Sequence, residues 1–246
     1  VGATSSSNEP EFDAAGCVRD WTFGHACYDL KEELHGLRSP HDGTGGFPMA
    51  HWFIPQWVME WNEGLGFLHV LPGYEGEAGV FAKRLFSAPV GLVAAPRLTW
   101  QCRTPYQRYL DHAGPLMRHI QRGDIYEVNY CIERTASDPG FNPFDSFARL
   151  LGATDAPFAG FYRLNDRFAL CASPERFLSF EGSRVKGEPM KGTRPRSLDP
   201  LEDDLLGLEL VNDEKERSEN IMAVDVMRND LSRIALADSV KVAELC

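Results

Sequence analysis

Apolar positions along the chain recur either at every second residue or at helical spacing, and the two periods divide it into elements. Residues 21–34 begin strand-like and turn polar, and 36–48 is a Gly/Pro/Asp loop. Residues 49–61 are aromatic and apolar enough for a buried strand, with Pro55 calling for an edge or a bulge inside it. Glu63-Gly64 predicts a turn before a further strand over 66–71. Residues 72–100 are rich in Gly, Ala and Pro, and a short helix is expected near 78–85.

Thr104-Pro105 is a helix start, with a hydroxyl cap and a proline at the first helical position. The helix is expected to kink or split at Gly114-Pro115 and to end at Gly123. Residues 124–135 alternate: Tyr126, Val128, Tyr130 and Ile132 share one face, Glu127, Asn129, Cys131 and Glu133 the other. This predicts a strand with one buried side. A short helix over 142–151 follows, then a hairpin of 158–164 and 167–172 across Asn165-Asp166. Two further short strands flank a Glu181-Gly182 turn. Residues 198–210 are acidic and Leu-rich, a linker or a helix. Asp213 is an N-cap with Glu216 as its capping-box partner, and a long helix is expected from there to about 235.

The 246 residues are 43% apolar, enough for a real core as one large domain or two small ones. The net charge of −11 argues against nucleic acid, and none is expected as a partner. The six cysteines (17, 27, 102, 131, 171, 246) contain no Cys-x-x-Cys, which reads as reduced thiols of a cytoplasmic protein. No apolar run approaches a membrane span, and no signal peptide is expected. Residues 1–15 form a polar, Ser-rich lead-in expected to be poorly ordered. Residues 16–100 read as a partial amino-terminal sheet region, and 101–246 as the motif-bearing half. The chain begins without methionine and stops in an extended segment, so a piece of a longer protein is expected. His25, His41, His51 and His69 complete no catalytic or metal set and read as structural.

One stretch concentrates chemistry. After the 179–186 strands comes a loop carrying Lys191, Gly192, Thr193, Arg194 and Arg196. It offers an amine, unobstructed backbone N–H groups, a hydroxyl and two guanidinium groups. Such a loop is either a solvated basic surface or an anion site with a nucleophile in it. On the last helix, Glu219 shares a face with Met222 and Val226. It either pairs with Lys215 at i,i+4 or turns inward, where a carboxylate needs a metal or a donor.

Three motifs stand in order: Gly-Asp-Ile-Tyr-Glu-Val-Asn (123–129), Ser-Pro-Glu-Arg-Phe-Leu with Pro-Met-Lys-Gly-Thr-Arg-Pro-Arg (173–178 and 189–196), and Lys-Glu-Arg-Ser-Glu-Asn-Ile-Met-Ala-Val-Asp-Val-Met-Arg-Asn-Asp-Leu (215–231). Together they closely resemble the chorismate-utilising enzymes, which include component I of anthranilate synthase and of aminodeoxychorismate synthase and the isochorismate and salicylate synthases. The resemblance implies an α+β fold, an anthranilate-synthase-like sandwich of antiparallel β-sheets flanked by helices, present here in part.

It also implies roles. Glu219 matches a glutamate that binds Mg2+, and Glu216 one that reaches the ion through water. Gly192 and Thr193 match substrate-positioning groups, Glu175 a general acid, and Lys191 a nucleophile. Isochorismate-forming members carry a lysine where this chain has Glu127, which counts against water addition. Lysine at 191, where anthranilate synthases usually have alanine, points to the aminodeoxychorismate-forming branch. The implied reaction is amination of chorismate to 4-amino-4-deoxychorismate through a covalent lysine intermediate. Ammonia would come from a separate glutamine amidotransferase subunit. An anthranilate synthase component I and a non-catalytic chorismate-binding paralogue stand as alternatives.

For Lys191 to attack at neutral pH, its pKa should be lowered by burial and by Arg194 and Arg196. The family's later half carries a second magnesium glutamate, a His-containing strand and a Gly-Ser-x-Thr-Gly-Ala-Pro-Lys loop. None occurs in this sequence, so the 246-residue piece alone is expected to bind metal poorly and to show little catalysis.

Overall fold

The computed structural model describes residues 21–38, 45–87, 91 and 98–245. The lead-in 1–15, Cys17, His41 and Cys246 lie outside them. The chain divides into two compact units, 1–92 with 163–168, and 93–162 with 169–246.

In the first unit, β1 (Phe23–Ala26) is followed by the single-turn helix α1 (Leu30–His35), which Gly36 closes in the left-handed region at φ 64°. β1 pairs antiparallel with β2 (Ala50–Phe53). The strand expected over 49–61 is two strands. Ile54–Gln56 leaves the ladder around Pro55, which has no N–H to give it, and β3 (Trp57–Asn62) starts beyond. β3 turns at Glu63 and Gly64, φ 49° and 83°, into β4 (Leu65–Val70). Positive φ at both turn residues matches the right-handed twist of a two-residue hairpin. The helix α2 (Glu75–Ser87) then lays Phe81 flat on Trp57, with ring centroids 5.1 Å apart and planes 9° apart. Ile54, Trp57 and Val58 are the buried apolar side chains among the described residues. His25 is structural: its Nε2 lies 3.0 Å from the Pro48 carbonyl, and its ring meets Phe47 edge-on.

In the second unit, β5 (Gln101–Cys102) leads to α3 (Tyr106–Arg122). Two expectations are corrected here. The helix runs unbroken through Pro115. Its N-cap is Pro105 with no side-chain cap bond, so Thr104 does not cap it. Gly123 ends it at φ 76°, with Gly123 N–H bonded to the Ile120 carbonyl and Asp124 N–H to that of His119.

The strand expected over 124–135 is also corrected. Only β6 (Arg134–Thr135) joins a ladder, against β5. Alternation describes one segment, but a strand also needs a neighbour's N–H and C=O groups. Among the described residues 124–132 has no such ladder, and Glu133 only accepts Arg103 N–H beside β6.

Asn142 caps α4 (Pro143–Ala153) by accepting from Phe144 and Asp145 N–H. β7 (Phe158–Leu164) and β8 (Arg167–Ser173) form the expected hairpin, with Asn165 at φ 56°. β9 (Ser179–Glu181) and β10 (Arg184–Lys186) pair around Gly182-Ser183, one residue later than expected, because Glu181 stays in the ladder and Gly182 takes φ 58°. The 198–210 stretch is helical: Asp199 caps α5 (Pro200–Asn212), with proline at the first position. Asp213 accepts from Glu216 N–H and caps α6 (Glu214–Ser232), which stops about a turn short of 235. No helix among the described residues is long and apolar enough to cross a membrane. Cys27, Cys102, Cys131 and Cys171 are free thiols.

Candidate functional site

The predicted site residues all fall in the second unit, and the 187–199 loop brings them together. β8 ends at Ser173, whose hydroxyl bonds both ways with Glu175: Oγ donates to its carbonyl at 2.9 Å and accepts from its N–H at 3.3 Å. The Arg176 guanidinium covers the Phe158 ring at 4.9 Å. Held this way, the Glu175 carboxylate reaches across to the loop and accepts the Met190 N–H at 3.2 Å. Gly192 lies on the other side of Lys191, at φ 77°. Its backbone passes against α5 and α6, where a Cβ would stand 2.7 Å from Glu216 Oε2 on α6 and 3.0 Å from Leu210 Cδ1 on α5. Only glycine fits that approach at that dihedral without strain.

Lys191 therefore projects from between two fixed neighbours. Its Nζ donates to Glu127 Oε1 at 2.5 Å. The hydrogen bond to Glu127 is the main reason its pKa is raised, and the charges of Glu127, Glu175 and Glu219 add to it against a smaller effect of burial. This corrects the expectation of a lowered pKa. Arg194 and Arg196 do not face the amine as free cations. Arg194 donates to Asp213 at 2.8 Å and to the Thr193 carbonyl at 3.0 Å. Arg196 grips Asp203 with two nitrogens, at 2.8 and 2.6 Å. That grip, with Ser197 N–H on the same carboxylate, pulls the Asp203 pKa down to about 2. Both arginines thus hold the loop to the caps and first turns of α5 and α6, a structural use that composition alone did not distinguish from ligand binding.

Glu216 and Glu219 lie three residues apart on α6. The Lys215 ammonium stands near both, 3.4 Å from Glu216 Oε1 and 3.1 Å from Glu219 Oε1. So the Lys215–Glu219 pair forms, and Glu219 is half-exposed rather than turned into a core. Among the described residues no group of three or more His, Cys, Asp or Glu side chains is arranged to hold a metal ion. The donor set still suits magnesium. Two carboxylate oxygens already gather round one cation, and this ion takes one or two carboxylates while keeping several waters. A pocket of about 190 Å³ borders the loop, lined by Met190, Lys191, Leu210, Glu216 and Asn220 among others.

The residue that sequence reasoning placed without a task here is Glu127. Its segment is strung between two anchors on α3. Asp124 bonds His119 at 2.8 Å and Arg122 at 3.0 Å. Tyr130 lies 2.6 Å from His112 and meets Tyr109 edge-on. The position of Glu127 in the first motif was the one available signal.

Comparison with known proteins gives a consistent result. Residues 3–246 match the family of chorismate binding enzymes. The chain is 40% identical to aminodeoxychorismate synthase component 1 of Escherichia coli over 146 residues, which is 59% of this chain and 32% of that one. It is 34% identical to anthranilate synthase component 1 of Thermus thermophilus over 230 residues, 90% of this chain and 50% of that one. These matches span a third to a half of the curated relatives' own length. The crystal structure of anthranilate synthase component I from Streptococcus pneumoniae superposes with a TM-score of 0.76 at 23% identity, over 98% of this chain and 55% of that one. The fold is therefore that mixed arrangement of helices and antiparallel sheets, in part.

Proposed function

Because the chain belongs to the chorismate-binding enzyme family, we propose that it serves the amination of chorismate to 4-amino-4-deoxychorismate. The observation that carries this reading is a lysine at 191 beside a carboxylate, Glu175, that the same loop fixes through Met190 N–H. A general acid and an amine are thus held at neighbouring positions, as nucleophilic catalysis requires.

In the proposed reaction the Lys191 amine forms a bond to C2 of chorismate. The ring double bonds shift, and the C4 hydroxyl leaves as water with a proton from Glu175. Ammonia then bonds to C4, the C2–N bond breaks, and Lys191 returns as the free amine. Gly192 N–H and Thr193 would orient the substrate. Glu219 directly, and Glu216 through water, would hold Mg2+, which when bound neutralises the ring carboxylate and orients the substrate. Chorismate is a dianion, and the carboxylates around Lys191 give the site little positive charge of its own, so a divalent ion complements it.

We place the ammonia supply on a separate glutamine amidotransferase subunit. The relatives named above are each called component 1. The free thiols favour a cytoplasmic setting. Anthranilate synthesis is the second reading, favoured by the Thermus relative's match over 90% of this chain.

The test is the product formed when the full gene product meets chorismate, magnesium and ammonium. Aminodeoxychorismate, with pyruvate retained, is expected. Anthranilate would transfer the assignment to the second reading. No turnover of bound chorismate would point to a binding paralogue.

A further inference from the structure

The pairing of Lys191 with Glu127 has no part in the reaction above, and it stands in its way. An ammonium group has no lone pair, so the amine is unavailable while the carboxylate holds it. The two side chains come from segments 64 residues apart in sequence, and each is held in place independently of the other. Asp124 and Tyr130 tie the Glu127 segment to α3 from both sides. Met190 and Gly192 tie the Lys191 backbone to Glu175 and to α6. The 2.5 Å contact is thus made by two prepositioned backbones. Both partners are about two-thirds shielded, with 28% of the lysine side chain and 36% of the glutamate exposed, so water screens the pair less than a fully exposed one.

We propose that Glu127 is a positioning residue for Lys191: its carboxylate fixes the amine in the site and withholds it until a ligand opens the pair. The inference rests on the reading of Lys191 as the nucleophile only for its consequence, not for the pairing itself. The other charged groups acting on the amine are Glu175, on the segment after β8, and Glu219, on α6. Neither makes the short contact, so neither replaces Glu127 in fixing the position. An anionic ligand entering beside the ammonium competes for it with Glu127.

The experiment is the pH profile of Lys191 modification by an amine-reactive reagent such as acetic anhydride, read peptide by peptide by mass spectrometry. Lys186, paired with Glu188 at 2.6 Å, serves as the internal standard. Glu127→Gln keeps shape and removes charge. It is expected to move the midpoint of the Lys191 profile down by about half to one pH unit, a three- to tenfold faster reaction below the midpoint. Lys186 should not change. Glu127→Asp, which keeps the charge but shortens the reach, should fall between. A merely structural Glu127 would not move the Lys191 midpoint relative to Lys186, and an unmoved midpoint in both variants overturns the proposal. Repeating the profile with chorismate and magnesium separates this from the functional reading. If Glu127→Gln shifts the midpoint and chorismate neither shields nor modifies Lys191, the pairing stands and the lysine mechanism falls. If chorismate protects Lys191 and Glu127→Gln shifts nothing, the mechanism stands and the positioning role falls.

Discussion

The backbone of Gly192 runs so close to Glu216 that a methyl group built on it would lie 2.7 Å from the carboxylate oxygen Oε2. The 187–199 loop and the proposed metal helix are therefore in contact at one residue with no side chain. Gly192→Ala is expected to lower stability by about 1–2 kcal/mol from the left-handed backbone alone, before the clash is counted. Urea denaturation measures it. An unchanged midpoint would mean that Gly192 is not held in the left-handed region against α6 as described.

Arg196 and Asp203 provide a pH signature. The Asp203 pKa is lowered from 3.8 to about 2 by the guanidinium, so its contribution favours the folded state above the ordinary carboxylate pKa. That contribution is lost as pH falls from about 4 toward 2. Urea midpoints of wild type and Asp203→Asn should differ by a constant amount above about pH 5 and converge near pH 2. A difference that persists at pH 2 would show that the charge is not the cause.

Lys215 stands beside both Glu216 and Glu219, where the proposed magnesium would be held. Removing it frees both carboxylates. Lys215→Ala should tighten magnesium binding about two- to fivefold by calorimetry, the scale of exposed ion pairs. Weaker binding in this variant would take the metal away from these two residues.

Glu175→Gln should lower kcat for chorismate amination by about 10²- to 10⁴-fold, the usual contribution of a general acid, with KM little changed. Steady-state kinetics on the full gene product decides this. In the same assay, full activity in Lys191→Ala would exclude the covalent route.

Local chemistry was legible in the sequence where one segment carries all of it. The cap at Asp213, the turns at Asn165 and Glu63-Gly64, and the left-handed Gly123 all follow from residues adjacent in the chain. Asp199 became visible as a cap only with the structure, since an acidic, Leu-rich run fits a linker as well as a helix. What failed depended on distant partners. The alternation of Tyr126 to Ile132 is genuine, yet Tyr126 is 78% exposed and no strand adjoins the segment among the described residues. The charge state of Lys191 failed for the same reason. The cations near it in sequence, Arg194 and Arg196, are taken by Asp213 and Asp203, while the carboxylate that reaches it comes from position 127.

The segment bearing Glu127 is moored by the side chains of Asp124 and Tyr130 and not by a β-ladder. Its placement therefore does not depend on what residue stands at 127. Chemistry at that position is free to be exchanged without unravelling the scaffold, so a single substitution there can change what the amine meets and leave the rest of the site where it is.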